Sequence, residues 1–343
     1  MKGETAAAEA LEAVAVVTIA AFVCALLIVV LHPLLERYAL ARPNTRSSHK
    51  IPTPQGGGIA VIATTIVVVY GASYFLTLGA ANATHFPTIL AAVILIACVG
   101  ALADVHPINV GPRLMLQTLA IAAVIFALPA DLRAVPFVPW WIERALLIFG
   151  GLWFVNLVNF MDGLDLMTVA EVVPITAALA AIGVLGVLPV QATLVSLALC
   201  GATIGFAWFN RPVARLFLGD VGSLPIGLLL GWLLLLVAGS GGRAAAILLP
   251  LYYLADSTIT LVRRMIDGEH VLQAHRTHFY QRATERGLSV IDVVVRVFAV
   301  NLILTTLALA TVLKPSRELD IVALLAGAVL VAWLLMGFAR GRR

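Results

Sequence analysis

Charge is scarce in this sequence: only 12% of the 343 residues are Asp, Glu, Lys or Arg, against about 25% in a soluble domain. That leaves too little polar surface for a soluble enzyme, and it excludes a disordered chain, which needs charge to stay solvated. Cysteine is nearly absent. Cys24, Cys98 and Cys200 each stand inside an apolar run and share no metal-ligand spacing, so a disulfide framework and a zinc site both lack support. No internal repeat, low-complexity linker or fibrous period is found. What remains is apolar: 62% of the residues are hydrophobic, enough for roughly ten or eleven helices of about 20 residues across a bilayer. The net charge of +4 is then a matter of membrane topology and not of nucleic acid.

Eleven apolar segments are predicted as spans, near 13–31, 57–78, 88–103, 114–130, 144–161, 169–187, 191–209, 222–239, 244–262, 293–313 and 320–338. The pair flanking Pro189 could also be two kinked halves of one span. The first run follows an acidic-leaning stretch instead of a basic one, so it is expected to be a retained helix and not a cleaved signal. Backbone crossing lipid must be helical, so the expected fold is an all-α polytopic bundle in one domain over 1–343. Placing residues 33–56 in the cytoplasm puts about fifteen of the 22 Lys and Arg on that side and about six on the other. The amino terminus is therefore expected outside and the carboxyl terminus in the cytoplasm.

Acids at membrane depth are costly and serve function by default. Asp104, Asp162, Asp165, Asp220 and Asp256 all fall at or near helix ends on the predicted cytoplasmic face. Such a group suits a cation together with an anionic ligand. In the stretch from Asn156 to Asp165, amides and acids recur every three residues (Asn156, Asn159, Asp162, Asp165). Each step of three turns about 300° around a helix, so all four converge only if the helix ends near Gly163. The alternative is a helix cap with amides tying helices together.

Around Asp220 the chain reads Phe217-Leu218-Gly219-Asp220-Val221-Gly222-Ser223, an acid between glycines just before a span. Backbone can approach a phosphate there, at the positive end of the next helix, although a plain turn capped by Ser223 has the same look. The longest polar loop carries His275, Arg276, His278 and Arg282, donors suited to a diphosphate or, more blandly, to anionic lipid headgroups. The first loop, from Arg42 through Arg46, His49 and Lys50 to Pro52-Thr53-Pro54 and Gly56-Gly57-Gly58, is basic, stiffened by proline and then glycine-rich.

Taken in order, these blocks resemble the polyprenyl-phosphate N-acetylhexosamine-1-phosphate transferase family: P-N-x-R-S-x-H with P-T-P-x-G-G-G, the Asp104 region, N-x-x-N-F-x-D-G-x-D, F-x-G-D-x-G-S and the histidine loop, together spanning about residues 40 to 290. The resemblance implies transfer of a sugar 1-phosphate from a UDP-sugar to polyprenyl phosphate, with release of UMP. It implies Mg2+ as cofactor, with Mn2+ as the alternative ion, held at Asn159 and Asp220. Asp104, Asp162 and Asp165 would serve catalysis, and Arg46, His49, Lys50, Asn156, His275, Arg276 and His278 would bind substrate. The site would be built from loops near 33–56, 104–113, 162–168, 210–221 and 263–292, facing the cytoplasm from a bacterial inner membrane. UDP-N-acetylhexosamine, polyprenyl phosphate and the bilayer are the expected partners, with a homodimer allowed and no nucleic acid. The H-R-x-H-x-Y-Q form looks more like the branch that starts O-antigen and other surface polysaccharides than like the muramoyl-pentapeptide branch.

Three positions depart from the family's pattern. Ala103 stands where an Asp commonly precedes Asp104, Leu166 where glycine is usual, and Arg42 where an acid often precedes Pro-Asn. Ala103 is the best argument for the rival expectation, a degenerate homologue that binds polyprenyl phosphate without turnover. A transporter would call for mid-membrane charges or inverted repeats, and neither is seen.

Overall fold

In the computed structural model the described residues are 2–41, 52–75, 85–106, 108–269 and 275–341, with side chains from residue 8 onward. Arg46, His49 and Lys50 of the first loop lie outside them. Thirteen helices are formed by the described residues: α1 Lys2–Tyr38, α2 Gly57–Phe75, α3 Phe86–Val105, α4 Val110–Ala127, α5 Trp140–Met161, α6 Met167–Val184, α7 Val190–Asn210, α8 Asp220–Gly239, α9 Arg243–Leu248, α10 Leu251–Ile266, α11 Phe279–Glu285, α12 Val290–Leu313 and α13 Arg317–Arg340. Ten of these are long and apolar enough to cross a membrane. The chain is a multi-pass, all-α membrane protein.

Among the described residues every segment predicted as a span is helical over most of its length, with one break. The run near 244–262 divides into α9 and α10 at Leu249–Pro250, because proline has no N–H to continue the ladder of α9. The kinked-halves alternative at Pro189 does not hold. There α6 ends, Gly186 takes a positive φ of 80°, and α7 starts afresh after Pro189.

Helix α8 forms the axis of the bundle. Of its most apolar window 89% is buried, against 22% for α1, so α1 belongs to the rim. Close approach to α8 is possible because its neighbours present glycine. A Cβ on Gly58 of α2 would overlap Gly222, and one on Gly100 of α3 would overlap the carbonyl of Asp220. Inside the bundle Asn301 Nδ2 donates to Glu171 Oε2 at 2.6 Å and to the Ala170 carbonyl at 3.0 Å, which ties α12 to α6.

The two ends of the bundle are built differently. At the start of α5, Glu143 is fully buried, paired with Arg133 and bonded by the Val135 N–H at 2.7 Å. Next to it, Arg144 donates to the carbonyls of Pro129 at 3.1 Å and Leu132 at 3.3 Å. The candidate site lies at the other end of α5. There β1 Leu40–Ala41 pairs antiparallel with β2 Thr53–Pro54, and Gln55 bridges in parallel to Phe217. The first loop is thereby laced to the turn that precedes α8.

Candidate functional site

Helix α5 ends at Met161, and this decides where its polar residues go. Asn159, in the last turn, donates from Nδ2 to Asp220 Oδ1 at 2.6 Å and to Ser223 Oγ at 2.8 Å. Asn156 is one turn deeper, where its amide is engaged by Gln117 Oε1 and the Leu152 carbonyl, both at 2.8 Å. It joins α5 to α4. Beyond the helix the backbone turns, so Asp162 and Asp165 swing back toward Asn159. Thr168 Oγ1 donates to Asp162 Oδ1, and the Ala214 N–H donates to Asp165 Oδ2 at 3.0 Å.

That turn is closed by Leu166 in the left-handed conformation, with φ 61°. Its N–H donates to Asn210 Oδ1 at 2.7 Å, and Asn210 passes the contact on to the Leu216 carbonyl at 2.9 Å. A glycine at this place, as the family pattern has it, would adopt that φ without strain. Leu166→Gly is accordingly expected to be more stable than Leu166→Val by about 1–2 kcal/mol, the reverse of the order set by side-chain burial alone. Thermal unfolding of the two variants in detergent checks it, and Val at or above Gly would remove the backbone argument.

Asp220 opens α8. It follows Gly219, whose φ of 77° and lack of a Cβ make room for Asp104. Asp104 accepts the N–H groups of Asp220 at 2.9 Å and Val221 at 3.1 Å, one on each carboxylate oxygen, so it caps α8 from the end of α3. Gln55 Nε2 donates to the Asp104 carbonyl at 2.6 Å. Asp220 Oδ2 in turn meets Arg113 Nη1 at 2.9 Å, and Arg113 Nη2 donates to Asn159 Oδ1 at 3.2 Å. Two oxygens, from α5 and α8, thus point at one guanidinium.

A cavity of about 300 Å³ gathers these groups, lined by Asp104, Asn159, Asp162, Asp165 and Asp220 with Gln55, Asn210 and Gln281. Burial, reinforced by the charges of Asp220, Asp104 and Asp165 and offset by the Thr168 hydroxyl, pushes Asp162 up to about 7. Among the described residues no three acids, histidines or cysteines form a ready-made metal cage. An oxygen-only pair is what magnesium uses, since it takes one or two protein oxygens and completes its shell with water and phosphate. Asp220 Oδ2 and Asn159 Oδ1, already converging on a cation, fit that ion.

The fifth acid is placed otherwise. Asp256 is fully buried and accepts the N–H groups of Phe279 at 2.9 Å and Tyr280 at 3.2 Å, with the Tyr252 hydroxyl at 3.1 Å. It caps α11. His278 lies against it, 2% exposed, with its ring stacked between His275 and Tyr280. His275 is held down to about 4 by burial, helped by His278 and Arg264, and is neutral at pH 7. Tyr280 donates from its hydroxyl to the Phe160 carbonyl at 3.0 Å and packs on Gly163, so this loop braces the end of α5. Among the described residues of this loop Gln281 lines the cavity, and His275, Arg276 and His278 do not.

Sequence reasoning missed Arg113, Gln281 and the buried Glu171. In the sequence Arg113 stands out only as one of the basic residues on the predicted cytoplasmic side. A better signal was its position nine residues after Asp104, at the start of the next helix, where an arginine opposes the helix dipole.

The profile of glycosyl transferase family 4 matches residues 86–238, which hold α3 to α8 and every acid of the cavity. The chain is 26% identical to a probable undecaprenyl-phosphate N-acetylglucosaminyl 1-phosphate transferase of Bacillus subtilis, over 79% of this chain and 78% of that one. It is also 26% identical to a decaprenyl-phosphate N-acetylglucosaminephosphotransferase of Mycobacterium tuberculosis, over 86% and 80%. A shorter stretch of 46 residues is 54% identical to a phospho-N-acetylmuramoyl-pentapeptide-transferase of Desulfovibrio desulfuricans, 13% of each chain. With matches that cover α3 to α8 and the acids of the cavity, the chain is similar to glycosyl transferase family 4 and to polyprenyl-phosphate N-acetylglucosamine-1-phosphate transferases.

Proposed function

We propose that this protein transfers N-acetylhexosamine 1-phosphate from a UDP-sugar to polyprenyl phosphate and releases UMP, with its acidic cavity facing the cytoplasm of a bacterial inner membrane. The observation that carries this is the convergence of Asp220 Oδ2 and Asn159 Oδ1 on one cation position beside Asp104, Asp162 and Asp165. Magnesium held there would neutralise charge developing on the leaving UMP. Asp104 fixes the start of α8 so that Asp220 keeps its aim. Thr168 holds Asp162 through Oδ1 and fixes its orientation in the cavity. The attacking phosphate monoester has a second pKa near 6 and is mostly dianionic at pH 7, so it needs little help from a base.

An apolar groove of about 410 Å³ between α4, α5, α8 and α9, lined by Ile121, Phe154, Val155, Gly227, Gly231 and Ile247 among others, suits the isoprenoid chain. Val155 is one turn from Asn159, so the groove and the polar cluster share a face of α5. Arg46, His49 and Lys50, with His275, Arg276 and Gln281, would receive the nucleotide sugar. His278 would act through Asp256 by positioning the loop. The curated relatives are named for N-acetylglucosamine, which makes UDP-N-acetylglucosamine the first donor to test.

The test is UMP release by purified protein with undecaprenyl phosphate, magnesium and a panel of UDP-N-acetyl sugars, with a chelator control. Chelator-sensitive release with one sugar supports the transferase and names its donor. Binding without release would favour the degenerate homologue for which Ala103 argues.

A pH dependence follows from Asp162. Its value near 7 lies above the ordinary 3.8, so the folded protein holds an extra proton between about pH 4 and 7 and loses stability as pH rises through that window. A cation that neutralises the cluster recovers the loss. Added magnesium should raise Tm more at pH 8 than at pH 5.5, and an equal rise at both would detach Asp162 from the cation site.

A further inference from the structure

We propose that Arg113 is a built-in stand-in for the divalent cation: its guanidinium and the ion are alternative occupants of one place, exchanged when the diphosphate substrate arrives. The inference rests on the proposed transferase reading and adds a residue to it. Arg113 Nη1 lies 2.9 Å from Asp220 Oδ2 and Nη2 lies 3.2 Å from Asn159 Oδ1, so one planar fork spans the two oxygens offered to the metal. An ion held by both oxygens and a guanidinium bonded to both compete for the same lone pairs, and their like charges repel at that range.

Three features suit exchange. Arg113 is 23% exposed and Asp220 25%, so the pair is open to solvent and carries no large desolvation barrier to opening. Arg113 sits in the first turn of α4, where the helix dipole disfavours a cation, so it is held there by Asp220 and Asn159 and not by its own helix. On release, its long stem stays beside Asn159 and Asp220 at the cavity's edge, within reach of a diphosphate whose paired oxygens a guanidinium fork fits best. Asn159 and Asp220 keep their alignment meanwhile through Asn159 Nδ2, bonded to Asp220 Oδ1 and Ser223 Oγ.

The consequence is a coupling between the two ligands. Cation binding alone sacrifices the arginine contacts, and the nucleotide sugar gives the arginine a new partner, so each ligand strengthens the other by the same factor. For a partly exposed pair the expected factor is roughly three- to tenfold.

The experiment is Mn2+ binding to the purified full-length chain, followed by the electron paramagnetic resonance signal of free Mn2+, with and without UDP-N-acetylglucosamine and without any lipid acceptor. In the wild type the nucleotide sugar should tighten Mn2+ binding by about three- to tenfold. Arg113→Gln should bind Mn2+ alone tighter than wild type by a similar factor and show little further gain from the sugar nucleotide. Arg113→Lys, which keeps the charge but reaches one oxygen at a time, should fall between, and it carries the test if Arg113→Gln does not give monodisperse protein.

A merely structural arginine predicts the opposite: weaker Mn2+ binding in both variants with the nucleotide effect intact, and that result overturns the proposal. Asp220→Asn separates the two levels. If it abolishes Mn2+ binding while the Arg113 variants behave like wild type, the metal site stands and the exchange fails. If it binds Mn2+ as wild type does, the transferase site itself is wrong and the exchange falls with it.

Discussion

Asp220→Asn should lower the rate of UMP release by roughly 10²–10³-fold, the scale of losing one group that supports transition-state electrostatics, here by holding the cation. The variant removes the negative charge and one of the two carboxylate oxygens that serve the cation position and Asn159. Folding should survive. Asp220 is partly exposed, and the asparagine oxygen can still accept from one of the two donors, Asn159 Nδ2 or Arg113, so the stability loss is that of a weak ion pair and a helix-end charge, about 1 kcal/mol. Steady-state kinetics at saturating magnesium, with Tm as the folding control, reads both. Turnover within a few-fold of wild type would take Asp220 out of the proposed metal site.

Asp104→Ala should act by another route. Both oxygens of Asp104 are spent on the first N–H groups of α8, so the truncation orphans two donors where α3 and α8 touch. A cost of about 2–4 kcal/mol is expected, together with a large loss of turnover, because the start of α8 carries Asp220. Asp104→Asn keeps one acceptor and should recover part of both losses together. If Asp104→Asn restored stability but left turnover at the level of Asp104→Ala, the carboxylate would have a direct part in the reaction beyond capping.

Much of the architecture was legible because a helix in lipid must be long and apolar, and runs such as 293–313 and 320–338 have no other use. The break at Pro250 was legible too, yet the apolar count ran across it. The site was readable to the extent that its logic is periodic. The three-residue spacing from Asn156 to Asp165 required a helix end near Gly163, and α5 ends at Met161. What the spacing could not tell is which of the four would be spent on packing, and Asn156 went to Gln117 on α4.

Asp256 shows the same limit. An acid at a helix end looks catalytic in one dimension, and only the partner segment, α11, reveals it as a cap. The departure at Leu166 acquired its physical content only with φ in hand. Arg113 was hidden because its partners, Asn159 and Asp220, lie 46 and 107 positions away, beyond the reach of any local pattern.

The welded far end of α5 bears on all of this. Arg144 grips carbonyls in the turn that follows α4, and Arg133 and Glu143 lock the rest of that turn, so α4 and α5 are tied together roughly 23 Å along α5 from the acidic cavity. A rod tied down at its root favours motion elsewhere, so rearrangement at the acidic cavity is expected first in side chains such as Arg113 and in the turns around it.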